Sequence, residues 1–267
     1  MDKKRSEKIS IDLANIVALD NPIIDVEGLV KALNLREIAG SEYVSKLIKE
    51  SRVLKPEDFT EDLYISNIRI EDKKIGDFFL TKATYEKGEL FQYDEPDVYD
   101  DIVVPKLAYF TDKVDFPTVY EGIIPWMSVC PSEINSMKKE MEEAKGKVLV
   151  LGLGLGYYPY IISQRDDVEE ITIVEFQEEI IRIFEENIFP QFNKRDKIRI
   201  VKADAFRFMM DVEPGEYDYI YCDIWENQFD GAIAYRKLHE HEERLYGTKF
   251  GYWIEDQIKY YIEEEEL

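Results

Sequence analysis

The chain has 267 residues, and its 45% apolar content suits a sizeable buried core and excludes a disordered protein. Its formal net charge of -23 disfavours nucleic acid as a partner, because Lys and Arg must neutralise the backbone phosphates. Two cysteines do not form a disulfide framework and fit a reducing cytoplasm. With no signal peptide and no apolar run long enough to cross a membrane, we expect a cytoplasmic protein with a small-molecule substrate and no membrane partner. A homo-oligomer is compatible with this composition.

Two or three short helices are predicted between residues 9 and 49. Apolar residues recur there every three or four positions, as they do on the buried face of a helix. These residues are Ile11, Leu13, Ile16, Val17, Leu29, Val30, Leu33, Val44, Leu47 and Ile48. Asn21-Pro22 and Gly40-Ser41 indicate the breaks between the helices.

Short β-prone runs begin at Leu63 and are separated by charged turns. They include Tyr64, Ile65, Ile68 and Ile70, then residues 78–80, 83–85 and 90–93. This spacing predicts a small antiparallel β lobe, so residues 1–115 are expected to form a helical and β N-terminal lobe. Residues 116–131, rich in proline and aromatic side chains, are expected to be a linker and cleft wall.

Apolar strands and amphipathic helices alternate in residues 132–267. The predicted strands end at Leu151, Val174, Val201 and Cys222. Such alternation is typical of an α/β, Rossmann-like domain, in which a parallel sheet carries helices on both faces. The residues after Trp225 are expected to form two helices, 231–246 and 250–261, so the sheet is expected to be truncated after its fourth strand.

Three glycines at alternate positions, Gly152, Gly154 and Gly156, directly follow the first apolar strand. In open α/β sheets ligands bind beyond the carboxyl ends of the strands, and glycine lets backbone N–H groups approach them closely. We interpret this turn as the cradle of an adenosine-bearing cofactor. The alternative is a turn that serves only the packing of strand against helix.

Polar residues follow the next three predicted strands as well. Glu175 comes nineteen residues after Gly156, where a carboxylate can accept both ribose hydroxyls, and Phe176 beside it can cover an adenine face. Asp204 follows the third strand, where it can bond an exocyclic amine. Asp223 ends the fourth strand and is the candidate catalytic residue.

In these motifs the chain resembles the class I S-adenosylmethionine-dependent methyltransferase superfamily, and within it the branch that contains the spermidine synthases. The glycine loop, Val174-Glu175-Phe176, Ala203-Asp204-Ala205 and the segment from Tyr217 to Asp223 correspond in order and spacing to the family's cofactor-side motifs. The resemblance implies that the glycines adjoin the methionine part, Glu175 the ribose, Phe176, Asp204 and Ala205 the adenine, and Asp223 the amino end or reaction centre. Tyr157, one step past Gly156, is expected to touch the ligand.

The chain departs from related patterns at several positions. Val150 stands where many methyltransferases have an acidic residue, although the synthase-like branch is apolar there. A dinucleotide loop would need glycine at Tyr157 or Pro159. Asp223-Ile-Trp-Glu-Asn replaces the Asn-Pro-Pro-Tyr of enzymes that methylate nucleic-acid amines.

Three functions stay open at this point. The leading one is methyl transfer from S-adenosylmethionine to a small acceptor, with Glu133 and Glu226 as acidic neighbours of Asp223. The second is a spermidine synthase-like aminopropyl transfer, for which Glu226 is present and the following proline is missing. The third is a non-catalytic protein that binds or senses S-adenosylmethionine. No metal site is expected, because His239 and His241 point to different faces of a helix.

Overall fold

The computed structural model describes residues 26–99 and 102–265. Its helices are α1 Val26–Ala32, α2 Leu35–Ile38, α3 Gly40–Glu50, α4 Glu57–Thr60, α5 Leu63–Asn67, α6 Pro131–Ser136, α7 Lys138–Glu143, α8 Tyr157–Ser163, α9 Glu178–Ile183, α10 Ala205–Asp211, α11 Gln228–Arg244 and α12 Glu255–Glu265. Its strands are β1 Arg52–Leu54, β2 Lys73–Ile75, β3 Phe78–Tyr85, β4 Phe91–Tyr99, β5 Ile102–Phe110, β6 Val114–Glu121, β7 Ile124–Ser128, β8 Gly146–Leu151, β9 Val168–Glu175, β10 Ile198–Lys202, β11 Tyr219–Cys222 and β12 Lys249–Tyr252. A π-helical turn, Phe184–Ile188, continues α9. The described helices include none that is both long enough and apolar enough to cross a membrane.

The first of two compact units consists of residues 26–62, 83–99, 102–116 and 130–135. Its sheet has the order β1-β5-β4, in which β1 is parallel and β4 antiparallel to β5. Helices α1 and α3 bury apolar residues at helical spacing, so the helix pattern predicted between residues 29 and 48 is confirmed. The earlier apolar positions, 11–17, lie outside the described residues.

The second unit consists of residues 63–82, 117–129 and 136–265. It contains a sheet of order β2-β3-β6-β7, with residues 78–82 of β3 and 117–121 of β6. Most of the segment that was expected to be a linker therefore forms strands. Proline does not prevent this, because the carbonyl of Pro117 accepts a hydrogen bond from the Val129 N–H at 2.8 Å. The two units interleave along the chain, and the limits 1–115, 116–131 and 132–267 stay a prediction.

Residues 63–67 form helix α5, although the sequence predicts a β run there. The Tyr64 ring is fully buried, edge-on to Tyr157 and Tyr160 of α8, and its hydroxyl donates to the Leu155 carbonyl at 2.6 Å. Packing against α8 thus overrides the local β propensity of these residues.

The Rossmann-like sheet of the second unit has the order β10-β9-β8-β11-β12, and every pair of neighbours is parallel. Helices flank this sheet, so the predicted α/β class is confirmed. Strands β8 and β9 are almost continuously buried, as a covered parallel sheet requires.

The expected truncation after the fourth strand is wrong, because β12 adds a fifth strand beside β11. Residues 249–252 were assigned partly to a helix that in fact begins at Glu255. The strand was missed because it has only four residues, Lys-Phe-Gly-Tyr, without an apolar run.

Candidate cofactor site

The glycine loop lies between the buried strand β8 and helix α8, as the sequence predicts. Its first N–H, from Gly152, donates to the Val174 carbonyl of the neighbouring strand at 2.9 Å. Leu153 and Leu155 alternate with the glycines, and both side chains are buried. The loop is therefore held by its two buried leucine side chains and by its hydrogen bond to β9.

Gly152 is required by the closeness of two backbones. A Cβ on this residue would lie 1.9 Å from the carbonyl oxygen of Asp223, and its φ of +98° is a left-handed value that disfavours other residues. Gly152 follows β8 and Asp223 follows β11, the strands on either side of the point where the strand order reverses. Ligands of open α/β sheets bind in the crevice at such a reversal.

Glu175, the last residue of β9, has a buried carboxylate that accepts three backbone hydrogen bonds. One oxygen accepts from the Leu153 N–H of the glycine loop at 3.1 Å. The other accepts from the Phe176 and Gln177 N–H groups at 2.7 and 2.8 Å. Because these bonds join the loop to the end of β9, Glu175 fixes the geometry of the site's centre as well as supplying negative charge.

The residues assigned to the adenine lie at the ends of β9 and β10. The Phe176 ring is 65% exposed, so one apolar face is open. Asp204 caps α10, where one carboxylate oxygen accepts from the Arg207 N–H at 2.9 Å. Ala205, the first residue of α10, is buried. The structure thus brings Phe176, Asp204 and Ala205 to the carboxyl edge of the parallel sheet.

Asp223, directly after β11, is partly buried and near a pair of stacked tyrosines. Its carboxylate accepts from the Tyr221 hydroxyl at 3.5 Å. The Tyr221 ring stacks on the Tyr158 ring, with centroids 4.0 Å apart. Tyr221 was not identified from the sequence, although its position two residues before Asp223 puts it on the same face of the strand.

Two more aromatic residues surround this region, one predicted and one not. Tyr157 begins α8, and its ring is buried and edge-on to Tyr64. Trp225, which the sequence did not single out, is also buried. Among the described residues its indole nitrogen finds no hydrogen-bond partner. A buried donor without an acceptor costs free energy, so it is an unusual feature beside a candidate site.

The other acidic candidates occupy different surroundings. Glu133 lies on α6 in the first unit, where burial raises its pKa to about 7. Glu226 is exposed, and its N–H donates to the Asp230 carboxylate.

The histidine candidates lie on α11, where His239 pairs with Glu242 at 2.8 Å. In the part of the chain that the structure describes, no three His, Cys, Asp or Glu residues are grouped as metal ligands.

Met127 of β7 is a third residue that the sequence did not identify. Its terminal atoms cover Gly154, where a Cβ would lie 2.5 Å from the methionine Cε. No sequence signal links a methionine to a glycine 27 positions later, so only the fold reveals this contact.

Comparison with known proteins agrees with this geometry. Residues 129–239 match the sequence model of the family described as "Spermine/spermidine synthase domain". This match contains the glycine loop, Glu175, Asp204 and Asp223, and it confirms the resemblance to the spermidine synthase-like branch of the class I superfamily. It supports a transferase related to the S-adenosylmethionine-dependent enzymes, and it does not distinguish methyl from aminopropyl transfer.

Similarity to individual proteins is slight. No curated protein matches the chain. One similar solved structure is described as that of "a putative O-methyltransferase from Klebsiella pneumoniae", with 14% identity and a TM-score of 0.29. The alignment covers 38% of this chain and 45% of that one, so the chain spans less than half the length of this structure. The fold assignment therefore rests on the strand order and the family match.

Proposed function

We propose that this chain binds S-adenosylmethionine and transfers its methyl group to a small-molecule acceptor. The observation that supports this most is the approach of Gly152 to Asp223 where the strand order reverses. Glu175 adds a buried carboxylate at the end of the adjacent strand. Together they provide a cradle too narrow for a side chain and acidic groups on both sides of it.

The residues fit the parts of the cofactor by their chemistry. A carboxylate has about four acceptor positions, and backbone N–H groups use three on Glu175, which leaves about one for a ribose hydroxyl. The exposed Phe176 ring suits an adenine face, and the cap uses one oxygen of Asp204, leaving the other for an exocyclic amine. We assign Gly152, Gly154 and Gly156 to the methionine part, with Tyr157 and Ala205 beside the ligand.

Catalysis then depends mainly on positioning. S-adenosylmethionine supplies a methyl carbon that is electrophilic because it is bound to a sulfonium. Asp223 holds the acceptor in line and takes the proton that its nucleophilic atom releases, as the carbon–sulfur bond breaks and the new bond forms. The Tyr221 hydroxyl orients the Asp223 carboxylate.

Aminopropyl transfer from decarboxylated S-adenosylmethionine is a second candidate, and the charge of the sheet edge favours it. Glu175 ends its strand, and Asp204, Asp223 and Glu226 follow the ends of theirs. The nearby Lys202 pairs with Glu178. A decarboxylated cofactor carries more positive charge and has no carboxylate that needs a cationic partner. The segment after Asp223 lacks the synthase proline, which is why we rank this function second.

Calorimetry with the purified chain tests both candidates. We expect S-adenosylmethionine and S-adenosylhomocysteine to bind, and Asp223→Asn to lower turnover roughly 100-fold or more while cofactor affinity changes little. Binding of only the decarboxylated form would favour aminopropyl transfer. Binding without turnover across a broad acceptor panel would indicate a sensing protein. Binding of NAD or ATP in place of all three would refute the proposal.

A further inference from the structure

Met127 covers the middle glycine of the loop. A Cβ on Gly154 would lie 2.5 Å from Cε and 3.2 Å from Sδ of this methionine, so the thioether rests on the Gly154 backbone. Both residues belong to the second unit, and Met127 is only partly buried. Part of the Met127 surface is therefore open to solvent.

Pairing within the β6–β7 hairpin fixes the position of Met127. Val119 pairs with Met127 across the strands, and the Thr118 and Ser128 hydroxyls are 2.9 Å apart. Val119 pairs with Met127 and Tyr120 pairs with Pro125, so Trp126 is the extra residue of a β-bulge directly before Met127. The Trp126 ring packs edge-on against Phe78 with centroids 5.4 Å apart. The bulge and the Trp126 contact thus fix the part of β7 from which the Met127 side chain reaches the glycine loop.

We infer that Met127 determines cofactor specificity, because its thioether forms the wall that faces the sulfur of bound S-adenosylmethionine. This inference rests on the proposed function, in which the glycines take the methionine part of the cofactor. A sulfonium carries its charge on a sulfur bonded to three carbons. A polarisable apolar wall suits such a group and keeps water from the methyl carbon.

Substitutions at Met127 test whether this side chain distinguishes S-adenosylmethionine, whose sulfur is charged, from S-adenosylhomocysteine, whose sulfur is neutral. Met127→Ala opens one side of the loop and removes the apolar wall, so S-adenosylmethionine affinity is expected to fall about tenfold. The affinity for S-adenosylhomocysteine, which is not a sulfonium, is expected to fall only about threefold. Met127→Leu keeps the apolar volume and is expected to stay within about threefold of the wild type for both.

Met210→Ala is the matched control, since it removes the same atoms from a methionine on α10 that is 72% exposed. Its affinity for both molecules is expected to equal that of the wild type. Met127→Gln serves if the alanine variant does not fold, because it keeps the length and replaces the thioether by an amide. We expect it to weaken S-adenosylmethionine binding about fivefold.

The contact itself is tested without ligand by thermal unfolding. Gly154→Ala is expected to lower the melting temperature less in a Met127→Ala background than in the wild type, because the methionine no longer occupies the space of the new Cβ. An equal loss in both backgrounds would overturn the contact.

Calorimetry distinguishes the two possible failures. If the wild type binds S-adenosylmethionine and Met127→Ala and Met127→Gln bind it equally well, the specificity inference is overturned and the proposed function stands. If the wild type binds neither cofactor form, the proposed function fails and the inference fails with it.

Discussion

The two ends of β8 use the same pair of residue types in different ways. At its start, a Cβ on Gly146 would lie 2.2 Å from a carboxylate oxygen of Asp218, which accepts from the Lys147 N–H at 2.8 Å. After its end, a Cβ on Gly152 would instead meet the backbone carbonyl of Asp223. The Asp218 side chain occupies the space that a Cβ on Gly146 would need. The Asp223 backbone occupies the corresponding space at Gly152, so the Asp223 side chain does not pack against that glycine. A glycine beside an acid thus indicates a site only where the carboxylate is not the packing partner.

The largest effect is expected from Gly152→Ala. A new Cβ must displace backbone at Asp223, and no side-chain rotation relieves the conflict, so we expect a loss of at least about 3 kcal/mol in the free energy of unfolding. Gly146→Ala is the matched control, because it has a similar left-handed backbone, φ +63°, and its neighbour is a side chain that can move. Urea denaturation should show about half the loss for this control. Equal losses of unfolding free energy in Gly152→Ala and Gly146→Ala would contradict the distinction between the two ends of β8.

A smaller effect, about 2 kcal/mol, is expected from Glu175→Gln. An amide keeps one acceptor oxygen, so it cannot satisfy all three backbone N–H groups that the carboxylate binds. Asp218→Asn is the control at the start of β8, where the remaining amide oxygen can still accept from the single Lys147 N–H, so a loss below about 1 kcal/mol is expected. Only the Glu175 variant should also weaken S-adenosylmethionine binding in calorimetry. A matching loss of affinity in Asp218→Asn would contradict the distinction between the ends.

The parallel sheet could be predicted because its strands carry continuous apolar runs and end in glycine or acidic residues. Gly152, Glu175, Asp204 and Asp223 come to one edge for this reason, since the carboxyl ends of parallel strands coincide. The strand β12 could not be predicted, because Gly251 leaves its Cβ space to the Glu140 carboxylate and the Tyr219 hydroxyl of other elements. Its sequence therefore lacks the apolar run that marks a strand.

The less predictable part of the site comes from residues far away in the chain. The packing of Tyr64 turned a β-prone run into a helix, and prolines concealed the strands that carry Met127. Both outcomes depend on tertiary contacts that no local pattern contains. Tyr221 differs, because its two-residue spacing from Asp223 was available in the sequence.

The smallest effect is expected near the first residue of β11, where the Tyr219 hydroxyl donates to the Glu140 carboxylate of α7. Burial raises the pKa of Glu140 above its ordinary value of 4.5, although the Tyr219 hydrogen bond opposes the rise. Because the folded-state pKa is the higher one, the stability linked to this group is present below pH 4.5 and is lost as pH rises through the folded value.

Glu140→Gln should remove that loss, since an uncharged amide also bonds Tyr219. The free energy of unfolding of this variant should lie within about 1 kcal/mol of the wild type at pH 5. The exposed Glu178, whose pKa is lowered from 4.5 by its hydrogen bond with Lys202, is a control of opposite sign. Its stability contribution is present above pH 4.5 and is lost only as pH falls through the folded pKa, so Glu178→Gln should show no change relative to the wild type between pH 5 and pH 8. Denaturation at pH 5 and pH 8 decides the matter, because a wild type that loses no stability relative to Glu140→Gln between these values would show that Glu140 is already ionised in the fold.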